Sequence, residues 1–153
     1  MRNIRWLALL LVSLGVLVIT GCGQPGPGGN ATPTLVPVPT LGAPVDMTGS
    51  QRVTIKMVDT TTNPSGYWYD IPSVKIKVGT TVTWVNTSSA QHTITSGAPG
   101  VPDGKFDSGM VNLLQPGNKG AASTFQFTFQ KPGSYPYFCA LHPAMIGLVQ
   151  VVA

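Results

Sequence analysis

Residues 123–130 alternate between aromatic and polar side chains, and this pattern constrains the fold more than any other feature of the sequence. Phe125, Phe127 and Phe129 occupy every second position, with threonine or glutamine between them. Because successive side chains of a β-strand point to opposite faces, the segment predicts a strand with one aromatic and one polar face. The same period of two recurs in residues 53–57, 74–78 and 82–84. The chain from Arg52 onward is therefore predicted to form strands that each bury one face.

The composition argues against helices. The sequence has no Glu, while eighteen Gly and fourteen Pro, the poorest helix formers, make up 32 of its 153 residues. Turn signals separate the alternating segments, and residues 147–153 form an apolar run that suits a strand covered on both faces. We predict one all-β domain over residues 52–153, an antiparallel sandwich of about seven to eight short strands. Residues 96–122, which are rich in Gly and Pro, are predicted to be its longest irregular stretch.

The N-terminus resembles a bacterial lipoprotein signal. Two arginines within residues 1–5 precede fifteen mostly apolar residues, which are too few to span a bilayer as a helix and predict a signal peptide over residues 1–21. This segment ends in Ile19-Thr20-Gly21-Cys22, which resembles a lipobox, so Cys22 is predicted to carry the lipid. Ordinary secretion, with Cys22 as a free or paired thiol, is the alternative. Both place the protein outside the cytoplasm, and lipidation would anchor it to the cell membrane, on the periplasmic side or outer face.

Residues 22–51 are predicted to be a flexible tether. Six Pro and six Gly occur among these thirty residues, with Asp46 as their only charged residue. Such a chain spans roughly 30 Å, or about 90 Å where it stays extended. Without the signal peptide, seven basic residues stand against five acidic ones, all of them Asp. This small net positive charge excludes a nucleic-acid-binding protein and allows only modest long-range steering of partners.

Three possible metal ligands lie at steps of three near the C-terminus: Cys139, His142 and Met145. On a helix, Cys139 and Met145 would point about 120° apart, and Pro143 disfavours helical geometry at His142. The alternative is a tight loop between two strands, which could wrap around a metal ion. His92, the other histidine of the sequence, follows a predicted strand. One ion bound by all four residues would join distant strands.

These residue types favour copper. Thiolate and thioether are soft ligands, and one Cys and two His in a trigonal plane with a weak axial Met are typical of a blue-copper site. Zinc usually takes four strong ligands, and iron–sulfur clusters need more cysteines than the two present. A buried Cys near a Met is ordinarily core packing, and this alternative stays open for Met145. A disulfide between Cys139 and Cys22 is disfavoured because Cys22 lies in the predicted tether.

Cys139-x2-His142-x2-Met145 with an upstream His92 resembles the cupredoxin family of small blue copper proteins. The spacing is most similar to that of amicyanins, and plastocyanins share the Cys-x2-His step. The similarity extends to residues 106–110, 116–117, 125–129 and 131–137. It covers roughly residues 52–153 and implies a Greek-key sandwich with one type 1 copper bound by His92, Cys139, His142 and Met145. The lipid-anchored, tethered plan is similar to that of auracyanins and halocyanins.

Two positions depart from the family pattern. Many cupredoxins have Asn directly after the first ligand His and a hydroxyl residue directly after the ligand Cys, and these groups hydrogen-bond to hold the loop. Here Thr93 and Ala140 occupy those positions. Thr93 can still donate a hydrogen bond, whereas Ala140 has no side-chain acceptor. Because such groups tune the metal, the loop rigidity and the reduction potential are not carried over from the family.

The resemblance implies a carrier of single electrons that cycles between Cu(II) and Cu(I). Copper enzymes would need further histidines for additional copper sites, and the sequence has no histidine besides His92 and His142. The family also implies that His142, flanked by Leu141, Pro143 and Ala144, is the docking centre for redox proteins such as a cytochrome or a membrane electron-transfer complex. The protein is expected to be a monomer. The alternative from another class is an extracytoplasmic lipoprotein that holds or delivers copper without electron transfer.

Overall fold

The computed structural model describes residues 40–113 and 123–153, and these residues form ten β-strands and no helix. The strands are β1 (Val45–Asp46), β2 (Arg52–Asp59), β3 (Tyr67–Tyr69), β4 (Ser73–Lys77), β5 (Thr81–Asn86), β6 (Thr95–Ala98), β7 (Val101–Asp107), β8 (Thr124–Thr128), β9 (Gly133–Phe138) and β10 (Ile146–Val152). The all-β prediction is confirmed for these two ranges, with more strands than the seven to eight expected. Within them, no helix is long and apolar enough to cross a membrane. The predicted signal peptide (1–21), Cys22 and most of the tether lie outside the described residues.

The strands form two sheets that enclose one hydrophobic core. The first sheet has the order β1-β4-β10-β9-β6-β7, and the second has the order β3-β2-β5-β8. Five of the eight pairings are antiparallel, while β1–β4, β4–β10 and β2–β5 are parallel. The sandwich is therefore mixed rather than purely antiparallel. The reason is that the chain crosses to the other sheet between these parallel partners and returns in the same direction.

Burial follows the alternating sequence. Every second residue of β2 is buried, from Val53 to Met57. Along β8, Phe125 and Phe127 are partly buried against the core, and Phe129, just beyond the strand, is fully buried. The segment with the clearest period in the sequence thus turns its aromatic face inward, as predicted.

The Gly- and Pro-rich stretch after residue 96 contains most of a β-hairpin, which corrects the expectation of an irregular segment there. β6 and β7 pair antiparallel, with a register shift between Thr95 and Gly97. Gly97 has a φ of 116° and Gly100 a φ of 77°, values that glycine adopts readily. The glycines therefore form a bulge and a turn within the hairpin instead of ending it.

The first sheet begins before the predicted domain boundary at Arg52. β1 pairs in parallel with β4, and the Met47 amide donates to the Lys75 carbonyl at 2.8 Å. Met47 is partly buried and packs against the core. Residues 45–47 therefore belong to the folded domain, and the tether predicted over residues 22–51 ends earlier. A two-residue strand is too short to show a period in the sequence.

Candidate metal centre

Two loops meet at one end of the first sheet because the strands next to them are neighbours. The ligand loop (residues 139–145) joins β9 to β10, which pair with each other. β6 is the other neighbour of β9, with Thr95 opposite Phe138. His92 lies three residues before Thr95, on the loop from β5 to β6. This pairing brings His92 next to Cys139, although 47 residues separate them.

The structure brings Cys139, His92 and His142 together around one point. The Cys139 Sγ atom lies 3.6 Å from the Nδ1 atom of each histidine, and the two Nδ1 atoms are 3.2 Å apart. Nitrogen and sulfur ligands at about 2.0–2.3 Å from a common ion, arranged in a trigonal plane, would be about 3.5–3.7 Å apart. The observed separations therefore fit three ligands of one metal ion.

The ligand loop is a tight turn rather than a helix, as predicted. The Cys139 amide donates to the Met145 carbonyl (3.0 Å), the His142 amide donates to the Cys139 carbonyl (3.3 Å), and the Met145 amide donates to the His142 carbonyl (2.8 Å). Met145 is fully buried and belongs to the hydrophobic core cluster. A thioether ligand and a core side chain both require such burial, so the role of Met145 as a ligand stays a prediction.

Thr93 links the two loops. Its hydroxyl oxygen accepts a hydrogen bond from the Ala140 amide (2.8 Å), and its own amide donates to the Cys139 sulfur (3.3 Å). Thr93 thus uses its hydroxyl as an acceptor in this contact. Ala140 contributes its backbone amide, and its side chain is exposed. The ligand loop is therefore held to its neighbour without the hydroxyl group that Ala140 lacks.

A buried hydrogen-bond chain that the sequence analysis missed orients the ring of His92. Its Nε2 atom lies 2.7 Å from Ser88 Oγ, which lies 2.8 Å from Asn86 Oδ1. The Asn86 Nδ2 atom donates to the Ala90 and Val111 carbonyls, which orients the amide with its oxygen toward Ser88. We therefore assign Ser88 as the donor to Asn86 and His92 Nε2–H as the donor to Ser88, which leaves the Nδ1 lone pair free for a metal. In the sequence, Asn86 and Ser88 resemble ordinary turn residues at the end of a strand.

Both imidazoles are held in the neutral form. Burial, followed by the neighbouring His142 ring, lowers the pKa of His92 to about 4. Burial also lowers the pKa of His142. A neutral imidazole has the lone pair that a metal ligand needs. Both rings are therefore available as ligands at neutral pH.

The side chains around His142 lie at the surface. Leu141 is 48% exposed and Pro143 is also exposed, while His142 and Ala144 are half-buried. The four residues predicted to form a docking centre thus lie on one loop, whose two ends at Cys139 and Met145 are buried. His142 is thus partly exposed on a loop whose exposed neighbours in sequence, Leu141 and Pro143, are apolar.

Comparisons with known proteins find one family along most of the domain. The family model described as copper binding proteins, plastocyanin/azurin family, matches residues 56–152. Amicyanin-alpha from Methylorubrum extorquens is 34% identical over 84 residues, and amicyanin from Paracoccus versutus is 36% identical over 83 residues. Each match covers 54% of this chain, and the chain spans only 63% and 57% of the lengths of these relatives.

A solved structure supports the same fold. The novel purple cupredoxin from Nitrosopumilus maritimus is 31% identical to this chain, with a TM-score of 0.54. The match covers 65% of this chain and 99% of that one. It therefore extends over nearly the whole of the solved cupredoxin chain.

The family match and the donor atoms agree on the metal. The matched range includes His92, Cys139 and His142, and one thiol with two neutral imidazoles is a donor set that copper favours. Since the family model covers more than half of the chain, the protein belongs to the copper-binding proteins of the plastocyanin/azurin family, the cupredoxins.

Proposed function

We propose that the protein is a small type 1 copper protein that carries single electrons between redox partners. His92, Cys139 and His142 would hold the copper, and Met145 would supply a weak axial thioether. The observation that carries this proposal is the placement of one thiol sulfur and two imidazole nitrogens 3.2–3.6 Å from one another. Such a donor set is typical of copper centres that transfer electrons.

Copper bound at this centre would supply the one-electron redox chemistry, and the protein supplies a rigid surrounding. The Thr93 amide donates to the Cys139 sulfur, and Ser88 orients His92. A thiolate also offsets part of the charge of a cation held away from water. Because strand pairing, hydrogen bonds and side-chain packing hold the donor atoms in place, a change of oxidation state would require little rearrangement of the protein.

Electrons would enter or leave through His142. His142 is half-buried and is flanked in sequence by the exposed Leu141 and Pro143, and a small apolar surface suits short-lived encounters with partners. The proposed partners are redox proteins such as a cytochrome or a membrane electron-transfer complex, which the protein would meet as a monomer. No enzymatic activity is proposed, because both histidines of the sequence lie at this centre and none remains for a second copper site.

We also propose that the domain works outside the cytoplasm, tethered to the cell membrane through a lipid on Cys22. This part of the proposal rests on the sequence of the first 22 residues, which resembles a lipoprotein signal. Cys22→Ala should abolish incorporation of a labelled fatty acid and move the protein out of the membrane fraction. A labelled Cys22→Ala protein would contradict the anchor.

The absorption spectrum of the copper-loaded protein tests the proposed electron carrier. We expect an intense blue band from the thiolate and reversible one-electron voltammetry. Cys139→Ser should lose the band, and Cys22→Ser, the matched cysteine control, should keep it. A wild-type protein that binds copper without colour would contradict the proposal. Transfer of copper to a metal-free acceptor, without reversible electron exchange with a cytochrome, would favour the copper-delivery alternative.

A further inference from the structure

The ring of His142 is held in a different way from that of His92. The His92 ring is fully buried and hydrogen-bonded to Ser88 at 2.7 Å. His142 is half-buried, and its polar ring contacts within residues 40–113 and 123–153 are those of Nδ1 with Cys139 and His92. These two contacts lie within the metal-binding cluster itself. The orientation of the His142 ring therefore depends on what packs against it.

Tyr67 packs against both imidazole rings. Its ring centre lies 4.5 Å from that of His142 at an interplanar angle of 52°, and 5.0 Å from that of His92 at 73°. These separations are those of favourable aromatic pairs. Tyr67 begins β3 at the edge of the second sheet, whereas His142 lies on a loop of the first sheet. The contact therefore joins the two sheets at the metal centre.

Asn63 lies on the connection between β2 and β3, which form an antiparallel hairpin, and it links this hairpin to the ligand loop. Its Nδ2 atom donates to the Ala144 carbonyl at 3.2 Å, across 81 residues of sequence. Its Oδ1 atom accepts from the amide and the hydroxyl of Ser65, which fixes the orientation of the side-chain amide. Asn63 is 8% exposed, and a buried donor of this kind costs free energy if its acceptor moves away. The hydrogen bond thus opposes displacement of the peptide between Ala144 and Met145.

We infer that the hairpin of β2 and β3, here termed the clamp hairpin, holds the ligand loop in its metal-binding conformation through two residues, Asn63 and Tyr67. Tyr67 restricts rotation of the His142 ring, and Asn63 anchors the backbone at Ala144, two residues before β10 begins at Ile146. The two are positioning residues, and the inference rests on the proposed copper centre because the groups they position are its ligands. Without these contacts the fold persists, but His142 leaves the metal more often and copper dissociates faster.

A general packing role for Tyr67 would have different consequences. Tyr135 is a comparable half-buried tyrosine on β9, packed against Phe129 at 5.0 Å and hydrogen-bonded through its hydroxyl to the Lys131 carbonyl. Its replacement removes a similar aromatic contact without touching either ligand ring. Tyr67→Leu and Tyr135→Leu therefore separate positioning of the ligands from packing of the domain.

The test measures the rate at which excess bicinchoninate removes Cu(I) from the copper-loaded protein. We expect Tyr67→Leu to raise this rate about tenfold, which corresponds to about 1.4 kcal/mol. Asn63→Ala should raise it about threefold, as expected for one lost hydrogen bond. Tyr67→Phe keeps the ring and should stay within about twofold of wild type. Tyr135→Leu, and Thr62→Ala at an exposed position of the same hairpin, should leave the rate unchanged.

A second measurement does not depend on copper loss. In Cu(I)-loaded protein with nitrogen-15-labelled histidine, Tyr67→Leu should broaden the ring signals of His142 and leave those of His92 sharp. A uniform change in both rings, or no change in either, would contradict a specific effect on His142.

The outcomes distinguish failure of the clamp inference from failure of the proposed copper centre. Wild-type release rates in both Tyr67→Leu and Asn63→Ala, or an equal acceleration by Tyr135→Leu, overturn the clamp. If Tyr67→Leu does not fold, Asn63→Ala decides alone, and a wild-type rate in that variant refutes the inference. A wild-type protein that binds no copper overturns the proposed function instead.

Discussion

The two ligand histidines differ in the contacts that fix their protonation and orientation. For His92, the fixing contact is a hydrogen bond from Nε2–H to Ser88, whose hydroxyl in turn donates to Asn86. All three side chains are buried, so any unpaired polar atom among them would be costly. A ligand imidazole that donates its second N–H is held in one tautomer and is a stronger electron donor to the metal. Ser88 therefore belongs to the metal centre although it touches no metal.

Replacing Ser88 tests this role at the level of one hydroxyl. Ser88→Ala removes the acceptor of His92 Nε2–H, so we expect the affinity for copper to fall about 10–100-fold. Ser89→Ala is the matched control, because the neighbouring Ser89 is exposed and bonds to Asp59 instead. Competition with a Cu(I) chelator measures both affinities. Equal affinities in the two variants would show that the Ser88 hydroxyl does not support His92.

The role of a residue can be predicted from the sequence when its chemical type and spacing are distinctive. It cannot be predicted when the residue acts only through contacts that form in the folded protein. Cys139 and His142 could be predicted as a pair because a thiol and an imidazole three residues apart are rare and chemically distinct. Ser88 and Tyr67 could not, because serine after a strand and tyrosine in a strand are common. Their relation to the histidines exists only after strands from both sheets have come together.

Among the elements, the β6–β7 hairpin supports the loop that holds His92. β6 pairs with β9 on one side and with β7 on the other, and His92 forms an isolated bridge with Val111 just beyond β7. The bulge at Gly97 allows this pairing, because an added Cβ would overlap the Val101 carbonyl oxygen and lie 2.8 Å from the Asp103 amide. The hairpin therefore depends on a residue without a side chain at this position.

Alanine substitutions at two glycines of this hairpin should have unequal effects. Gly97→Ala combines a φ of 116° with backbone overlap, so we expect it to lower the free energy of unfolding by about 3 kcal/mol or more. Gly100→Ala has a φ of 77° with open space around it and should cost only about 1 kcal/mol. Urea unfolding of the two variants measures the difference. Equal losses of unfolding free energy would mean that the close approach of the Val101 carbonyl oxygen adds no cost to a side chain at position 97.

Element prediction succeeds where the period is long enough to be recognised. The alternating residues of β2 and β8 predict strands and their buried faces. β1 and β3 have two and three residues, which is too short for a period to appear. The parallel pairings have no local signal either, because they arise when the chain crosses between sheets. Glycine marks both turns and bulges, so its density after residue 96 could not by itself distinguish a loop from a hairpin.

At the scale of the whole molecule, both sheets contribute to one end of the sandwich. The ligand loop belongs to the first sheet, the clamp hairpin belongs to the second, and His92 lies on the connection from β5 in the second sheet to β6 in the first. The metal centre thus depends on how the sheets pack and is not a local feature of residues 139–145. By contrast, β1 lies at the far edge of the first sheet, beyond β4. Its contribution should therefore be to stability rather than to the metal.

The start of the folded domain is testable by truncation. A chain that begins at Arg52 lacks β1 and Met47, whose amide donates to Lys75 and whose side chain packs against the core. Losing a few backbone hydrogen bonds and one partly buried side chain should lower the free energy of unfolding by about 1–3 kcal/mol. A chain that begins at Thr40 retains these contacts and serves as the control.

Because β1 lies far from the ligand loop in strand order, both chains should show the same blue band. Equal stability of the two chains in urea would mean that residues 45–47 add nothing to the domain, and a changed band would mean that β1 influences the metal centre.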